Sequence, residues 1–268
     1  MRHDFIRAAA LAAVLIISPL QAPHAQDLVE HLDLNSDEFT KADVTRDDVV
    51  AAIAKAGSDG VADFSGQRLN GLDLSGLDLR RLKLQSTRIN GANLAGANLE
   101  GVVLDQAWAL KSNFTKANLQ KASMFATQLM DAKMDGADFK DARIAADFSR
   151  ASLQGADFTG ANLSADMKNQ SMGLMRGVFR SSNLQGASFK DANLARVLME
   201  YASLRDANLT GANLMGSELA GADLTGADVA GANFNAADVN SARLLSLRGK
   251  DKARNFDGVK NLDRAYVD

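Results

Sequence analysis

The chain has 268 residues, no cysteine and an aromatic content of only 6%, so disulfides, thiolate metal sites and cysteine nucleophiles are excluded. Its 21 glycines and 2 prolines are typical of tight corners and close backbone packing rather than of a mixed α/β core. The formal net charge of −3 divides into about +1 over residues 1–26, about −6 over 27–61, near zero over 62–244 and about +2 over 245–268. Neither a nucleic-acid binder nor a strongly acidic decoy would show this distribution.

The first residues have the pattern of an export signal. Arg2 and Arg7 precede an apolar run over residues 8–17, and small residues follow up to Ala25. The run is shorter than the roughly 20 residues that span a bilayer, which favours a cleaved signal peptide over an uncleaved membrane anchor. We therefore expect residues 1–25 to be a signal peptide, cleaved within about three residues of Ala25. The mature protein is then expected to lack a transmembrane segment and to be periplasmic or secreted from a bacterium.

Residues 26–61 are expected to form an N-terminal segment with one capping helix. Thr45 and Asp48 have the spacing of a capping box, and Gly57 is a natural stop, so we predict a helix over 45–56. One face of this helix is apolar and would lie on the domain that follows: Val49, Ala52, Ile53 and Ala56. The acidic residues around the helix are expected to form a solvated face.

The same segment contains a weak match to a calcium loop. Three residues have the spacing of its first ligands: Asp33, Asn35 and Asp37. Glu38 replaces the glycine of such a loop and Val44 replaces its closing glutamate, so no calcium site is expected. His31 is the only histidine beyond the signal region and cannot form a zinc site alone. No catalytic motif is found, so we expect no enzyme activity, no metal and no cofactor.

From residue 62 to 244 the sequence repeats every five residues. Each unit has a large apolar residue, here called the centre, with a small residue two positions before it and often Asn or Asp between them; we count roughly 36 units. Examples in register are Ala92-Asn93-Leu94, Ala117-Asn118-Leu119 and Ala212-Asn213-Leu214. A five-residue period gives no apolar face to an α-helix or a flat strand. The chain must therefore turn once per unit, with the centre and the small residue inside and the residue between them outside.

This A-(D/N)-L-X-X pattern resembles the pentapeptide-repeat family over residues 62–244. The resemblance implies an all-β fold, a right-handed quadrilateral β-helix. From the residues outside the repeat we expect short helical caps at both ends. Such a pentapeptide-repeat solenoid would contain about nine coils, a coil being one turn of about 20 residues, stacked about 4.8 Å apart. Stacking predicts outward columns, such as Asn93 beside Asn113, and another formed by Asn193, Asn213 and Asn233.

The period is interrupted in two places. The spacing between centres shortens by one residue after Ile144 and again after Leu163. We predict that the second break, residues 164–173, is a bulge or short loop that joins two solenoid stretches. The alternative is a projecting loop that offers Met167 and Met172 for contact.

Trp108 is the only tryptophan, and it occupies an outward position. Stacking places Arg68 and Arg88 in its column, where Arg88 stacked on Trp108 would contribute about 0.5–1 kcal/mol. The alternative, which we favour, is that Trp108 covers a thin part of the wall. The candidate partner contacts are therefore Trp108, Arg88, Arg68, Met167 and Met172.

Residues 245–268 lose the five-residue period and are expected to form a C-terminal cap or tail. Val259, Leu262 and Tyr266 are spaced for one helical face, which predicts a short helix. This helix would cap its own solenoid or pair two copies. Some members of the resembled family pair through this end, so a homodimer through the C-terminal end stays open.

An exported, regular and nearly neutral solenoid without catalytic groups favours a non-enzymatic scaffold. Its flat faces would serve protein–protein interaction, with a partner that the sequence does not identify. The alternative, taken from the resemblance, is a DNA mimic that modulates a topoisomerase such as gyrase. Those relatives depend on a strongly acidic surface and act in the cytoplasm, which the balanced charge and the export signal disfavour.

Overall fold

The computed structural model describes residues 32–57, 60–165 and 175–268. The chain divides into two units, Met1–Leu34 and Asn35–Asp268, and the stacked architecture belongs to the second. No helix within the described ranges is long and apolar enough to cross a membrane. Several sequence-based predictions fall outside the described residues: the signal peptide over 1–25 and the assignments of His31, Met167 and Met172.

Regular elements are short and lie mainly at the ends of the second unit. Two helices come first, and short strands follow. In chain order the elements are α1 (Asp37–Thr40), α2 (Arg46–Ala56), β1 (Ala62–Asp63), β2 (Leu82–Lys83), β3 (Ser123–Gln128), β4 (Arg143–Asp147), β5 (Arg243–Leu244), three 3₁₀ turns (Lys250–Lys252, Phe256–Gly258, Leu262–Arg264) and β6 (Tyr266–Val267).

The predicted N-terminal helix is confirmed as α2. The hydroxyl of Thr45 accepts a hydrogen bond from the Asp48 N–H, and the Asp48 carboxylate accepts one from the Thr45 N–H, which completes the capping box. Gly57 ends the helix with a φ of 66°. Val49 is fully buried, and the other apolar residues of its face pack against the same core.

Between the ends, most outward residues pair in parallel with those 20 positions later, and across the two interruptions the offset is 19 and then 31 positions. The Leu94 N–H donates to the Asn113 carbonyl at 2.6 Å, and the Asn113 N–H donates to the Ala92 carbonyl at 2.9 Å. Backbone bonds of this kind tie each coil to the next. The predicted columns are confirmed, including the one through Asn193 and Asn213.

The centres fill the interior of the stack, as the period predicts. Phe139 stacks on Phe158 with ring centroids 4.5 Å apart, and Phe148 stacks on Phe179 at 4.8 Å. The two columns meet edge to face, since Phe148 and Phe158 lie 6.2 Å apart at 87°. Small residues such as Ala92 are also fully buried. Large and small side chains thus alternate in one narrow apolar core.

Most corners place a residue in the left-handed region of backbone conformation. Gly96 does so at no steric cost, with a φ of 64°. Tyr201 has a φ of 60° at an equivalent corner, and its ring lies over Gly221 in the next coil. A Cβ at Gly221 would come within 2.6 Å of that ring. A glycine in one coil therefore makes room for a long side chain in the coil before it.

The first interruption is a bulge in the pairing of β3 with β4. Phe125 lies opposite Ala145, but Gln128 lies opposite Asp147, so the register shifts by one residue between the two pairs. The shortened spacing after Ile144 is thereby absorbed without breaking the stack.

The second interruption is an insertion within one coil. The column from Asp147 continues at Val178, and the Gly177 N–H donates to the Leu163 carbonyl at 2.9 Å. The break after Leu163 therefore joins two stretches of the same solenoid, as predicted. Whether it projects concerns residues 166–174, which lie outside the described residues.

The predicted C-terminal helix is wrong, because three separate 3₁₀ turns continue the stack instead. Each turn begins after a residue in the left-handed region, and such residues interrupt a continuous helix: Gly249, Asn255 and Asn261. The outward column positions of this last coil come six residues apart: Arg248, Arg254, Lys260 and Tyr266. Of the residues expected on one helical face, Val259 is buried whereas Tyr266 is exposed in β6.

Replacing one centre should test the inward placement of the whole set. Leu209 is fully buried, so Leu209→Asp would bury an unpaired carboxylate and should destabilise the fold by more than about 4 kcal/mol. The neighbouring Asn208 faces outward and accepts a hydrogen bond from the Thr210 N–H at 3.0 Å. Serine can accept the same bond, so Asn208→Ser should cost less than about 1 kcal/mol. Thermal unfolding, monitored by circular dichroism, measures both effects. Equal melting temperatures of the two variants would contradict the inward placement.

Candidate interaction site at the N-terminal end

The structure brings together three of the candidate residues. Arg68, Arg88 and Trp108 lie in one outward column, each paired in parallel with the next. All three side chains are half-buried. The column therefore forms as predicted. Its binding properties depend on the residues that cover it.

Residues 36–43, here named the N-terminal clasp, lie over this column. Phe39 of the clasp is only 8% exposed and packs edge-on against Trp108, with ring centroids 5.4 Å apart at 72°. The Arg88 guanidinium carbon lies 5.6 Å from the centroid of the Phe39 ring. The less favoured alternative, Arg88 stacked on Trp108, is replaced, because Phe39 buries its apolar ring against the indole and takes the guanidinium on its own face.

Two carboxylates of the clasp pair with the two arginines. Glu38 forms an ion pair with Arg88, and Asp43 forms one with Arg68. Asp43 also accepts hydrogen bonds from the Arg68 Nε at 2.8 Å and from the Arg68 N–H at 2.9 Å. Both carboxylates stay exposed, as expected of a solvated face, but each is also paired with an arginine of the column. Hydrogen bonds from the Arg68 side chain, then from its backbone, lower the pKa of Asp43 below its ordinary value.

Backbone pairing also holds the clasp against the edge of the first coil. Ala42 forms an antiparallel bridge with Leu69, and the Asp43 N–H donates to the Arg68 carbonyl at 2.7 Å. The buried Asn70 amide donates to two clasp carbonyls, those of Glu38 at 3.1 Å and Lys41 at 3.0 Å. The clasp therefore shields part of an otherwise exposed sheet edge.

One polar atom beneath the clasp is left over. The Nε atom of Arg88 is buried and has no hydrogen-bond partner among the described residues. Glu38 engages Arg88 through a terminal nitrogen instead. A buried donor without a partner is costly, so this guanidinium is incompletely satisfied by the clasp.

Sequence reasoning missed the clasp residues. Phe39 is the signal that could have found them, because a lone aromatic residue between acidic residues in a polar segment needs a partner surface. Of the residues with calcium-loop spacing, Asp37 pairs with Lys41 at 2.8 Å. Within the ranges that the structure describes, no group of three or more histidine, aspartate or glutamate side chains could hold a metal ion.

Comparisons with known proteins agree with the repeat. The family model named "Pentapeptide repeats (8 copies)" matches overlapping segments over more than half of the chain: residues 62–96, 97–136, 111–144, 127–165, 178–211 and 202–240. No curated protein matches the sequence.

Solved structures of pentapeptide-repeat proteins also match. Full-length QnrB1, a plasmid-mediated fluoroquinolone resistance protein, is 18% identical with a TM-score of 0.54, over 77% of this chain and 91% of its own. HetL, involved in heterocyst differentiation regulation in the cyanobacterium Nostoc sp. strain PCC 7120, is 24% identical with a TM-score of 0.44, over 83% and 94%. The family match and the fold shared with QnrB1 support a right-handed β-helix.

Acid should loosen the clasp. A carboxyl whose pKa is lowered by folding stabilises the folded state above its unfolded pKa, and that contribution is lost as the pH falls toward the folded pKa. The pKa of Asp43 is lowered by its hydrogen bonds from Arg68 in the folded state. Below about pH 4, we therefore expect the emission of Trp108, the only tryptophan, to shift to longer wavelength as Phe39 leaves the indole.

A charge-removing variant supplies the control. Asp43→Asn should show part of this shift already at pH 7 and a smaller change on acidification, whereas Asp251→Asn, at the other end of the stack, should behave as the wild type. Identical titrations of the Asp43→Asn variant and the wild type would show that this ion pair does not hold the clasp.

Proposed function

The chain belongs to the pentapeptide-repeat family, and we propose that it is a non-enzymatic scaffold whose flat faces bind another protein. The observation that carries this proposal is the set of four outward columns, which begin at Asp63, Arg68, Asp73 and Asp78. Four columns per turn support a four-sided coil. Each column holds side chains in a register that the backbone ladder fixes, which suits a preorganised binding surface.

The outward faces carry charges of both signs that largely neutralise one another. Lys140 lies 3.2 Å from Asp138 and 3.0 Å from Asp157, and Arg205 lies 3.0 Å from Asp223 in the next coil. A duplex mimic would need rows of unpaired acidic groups. The mixed faces therefore favour binding to a protein over topoisomerase modulation by DNA mimicry.

We also propose that the protein is exported. The support is the basic start at Arg2 and Arg7, followed by the apolar run over 8–17 and the small residues before Ala25. The scaffold would then act in the periplasm or outside a bacterial cell.

The C-terminal end offers a second association surface. Strand β6 pairs with β5 on one side and carries exposed side chains, with Tyr266 60% and Val267 46% exposed. A homodimer through this end would bury both of them and cover an exposed strand edge.

Photo-crosslinking from one coil tests the scaffold function. A photoreactive amino acid placed singly at one outward position of each column, Ser203, Asn208, Asn213 or Glu218, surveys all four faces at the same height of the stack. In the native bacterium, we expect a discrete protein adduct from one or two columns. Adducts from none, or the same adducts from all four, would contradict a specific scaffold.

The same cells test export. The mature protein should appear in the periplasm or the medium with a mass that corresponds to loss of about 25 residues. Retention of the full-length chain in the cytoplasm would overturn the proposed location without affecting the scaffold.

A further inference from the structure

The clasp lies along a side face of the solenoid and extends past the first coil. An end cap needs to cover only the first coil, and α2 buries Val49 there completely. Glu38 reaches Arg88 in the second coil, and Phe39 reaches Trp108 in the third. The outer part of the clasp therefore covers a side face that protection of the first coil does not require.

The clasp binds as a short peptide ligand would. Its helix α1 has four residues, too few to be stable without the surface below. Phe39 is its one buried apolar anchor, while Asp37, Glu38 and Thr40 are exposed. Antiparallel backbone pairing, an aromatic anchor and carboxylates on arginines are recurring features of peptide recognition.

The surface beneath the clasp has unused binding capacity. The buried Nε of Arg88 has no hydrogen-bond partner in the described part of the chain. A carboxylate placed bidentately on the guanidinium would engage both Nε and a terminal nitrogen, which Glu38 does not do. The clasp is therefore an imperfect complement to this surface, and a better complement could displace it.

We propose that Arg68, Asn70, Arg88 and Trp108 form a recognition site for an acidic, phenylalanine-containing segment of a partner protein, which the clasp occupies in the absence of that partner. This inference rests on the proposed scaffold function, for which it names the site and the class of partner. The partner segment carries an acidic residue directly before a phenylalanine and a second acidic residue four positions after it, as Glu38, Phe39 and Asp43 do.

The clasp and a separate peptide would compete for the same site, and this competition determines the apparent affinity of the peptide. A ligand binds only the fraction of molecules in which the clasp is open, so its apparent affinity falls by that fraction. Weakening the clasp should therefore strengthen binding of a separate peptide, although the site itself is unchanged. A purely structural clasp would give no such gain.

The probe is a labelled peptide with the sequence of residues 35–44, NSDEFTKADV. Its fluorescence anisotropy is measured against the mature protein as the wild type and as Phe39→Ala, which removes the aromatic anchor of the clasp. We expect the variant to bind at least about tenfold more tightly than the wild type. Trp108 emission should shift back to shorter wavelength as the peptide phenylalanine replaces Phe39.

Matched controls locate the binding. Adding Arg88→Gln to Phe39→Ala should abolish binding, whereas adding Arg205→Gln, which removes a comparable ion pair with Asp223 elsewhere on the solenoid, should not. A peptide in which alanine replaces the phenylalanine should fail to bind either protein. Glu38→Gln opens the clasp without creating a cavity and should show the same gain if Phe39→Ala proves unstable.

Three outcomes would overturn the inference. The first is no peptide binding to an opened variant that keeps the wild-type circular dichroism spectrum. The second is binding that survives Arg88→Gln. The third is a wild-type dimer in sedimentation that Phe39→Ala converts to monomer, because the occupant would then be the clasp of a second copy. Crosslinked adducts at the outward columns together with a failed peptide test would support the scaffold function and contradict only this recognition site.

Discussion

The whole architecture depends on backbone hydrogen bonds that no single coil can make for itself. Turn bonds within a coil, such as that from the Ala97 N–H to the Leu94 carbonyl, satisfy only part of its backbone. The Leu94 N–H and the Ala92 C=O are paired through Asn113 in the next coil. Every coil is therefore stable only as part of a stack. The apolar core follows from this constraint, since centres held in one register must pack as columns, as the stacked phenylalanines do.

The same constraint makes the two ends the difficult places, because there the ladder lacks a neighbour. At the N-terminal end, the backbone of Ala42 and Asp43 pairs with part of this edge, and α2 packs Val49 against the core of the first coil. At the C-terminal end, the period lengthens to six and 3₁₀ turns replace the corners, so the last coil keeps the columns in line up to Tyr266. At this end the edge of β6 is left exposed.

The sequence predicts the repeated part of this structure in detail, because the position of a residue within its five-residue unit indicates whether its side chain faces the core or the solvent. The inward Leu209 follows from the period, and the Asn93–Asn113 pairing follows from the period together with the four-sided coil that the family resemblance implies. The last coil was missed because Val259, Leu262 and Tyr266 have the three- and four-residue spacing of a helical face, although the coil repeats every six residues. The clasp was missed because it is a single tertiary contact between Phe39 and a tryptophan nearly 70 positions away. Arg68, Arg88 and Trp108 could be placed in one column, but not the segment that covers them.

Recognition by such a solenoid has to come from departures from the repeat. Neighbouring coils present nearly the same outward Asn, Asp and Ser side chains, so a partner that read only these would bind in several registers. A residue that occurs once along a column fixes the register. Trp108 is such a residue, and the two arginines before it add charge on one side only. A ligand that engages the indole and both guanidinium groups therefore has one position and one direction on the stack, which are the properties that the clasp displays.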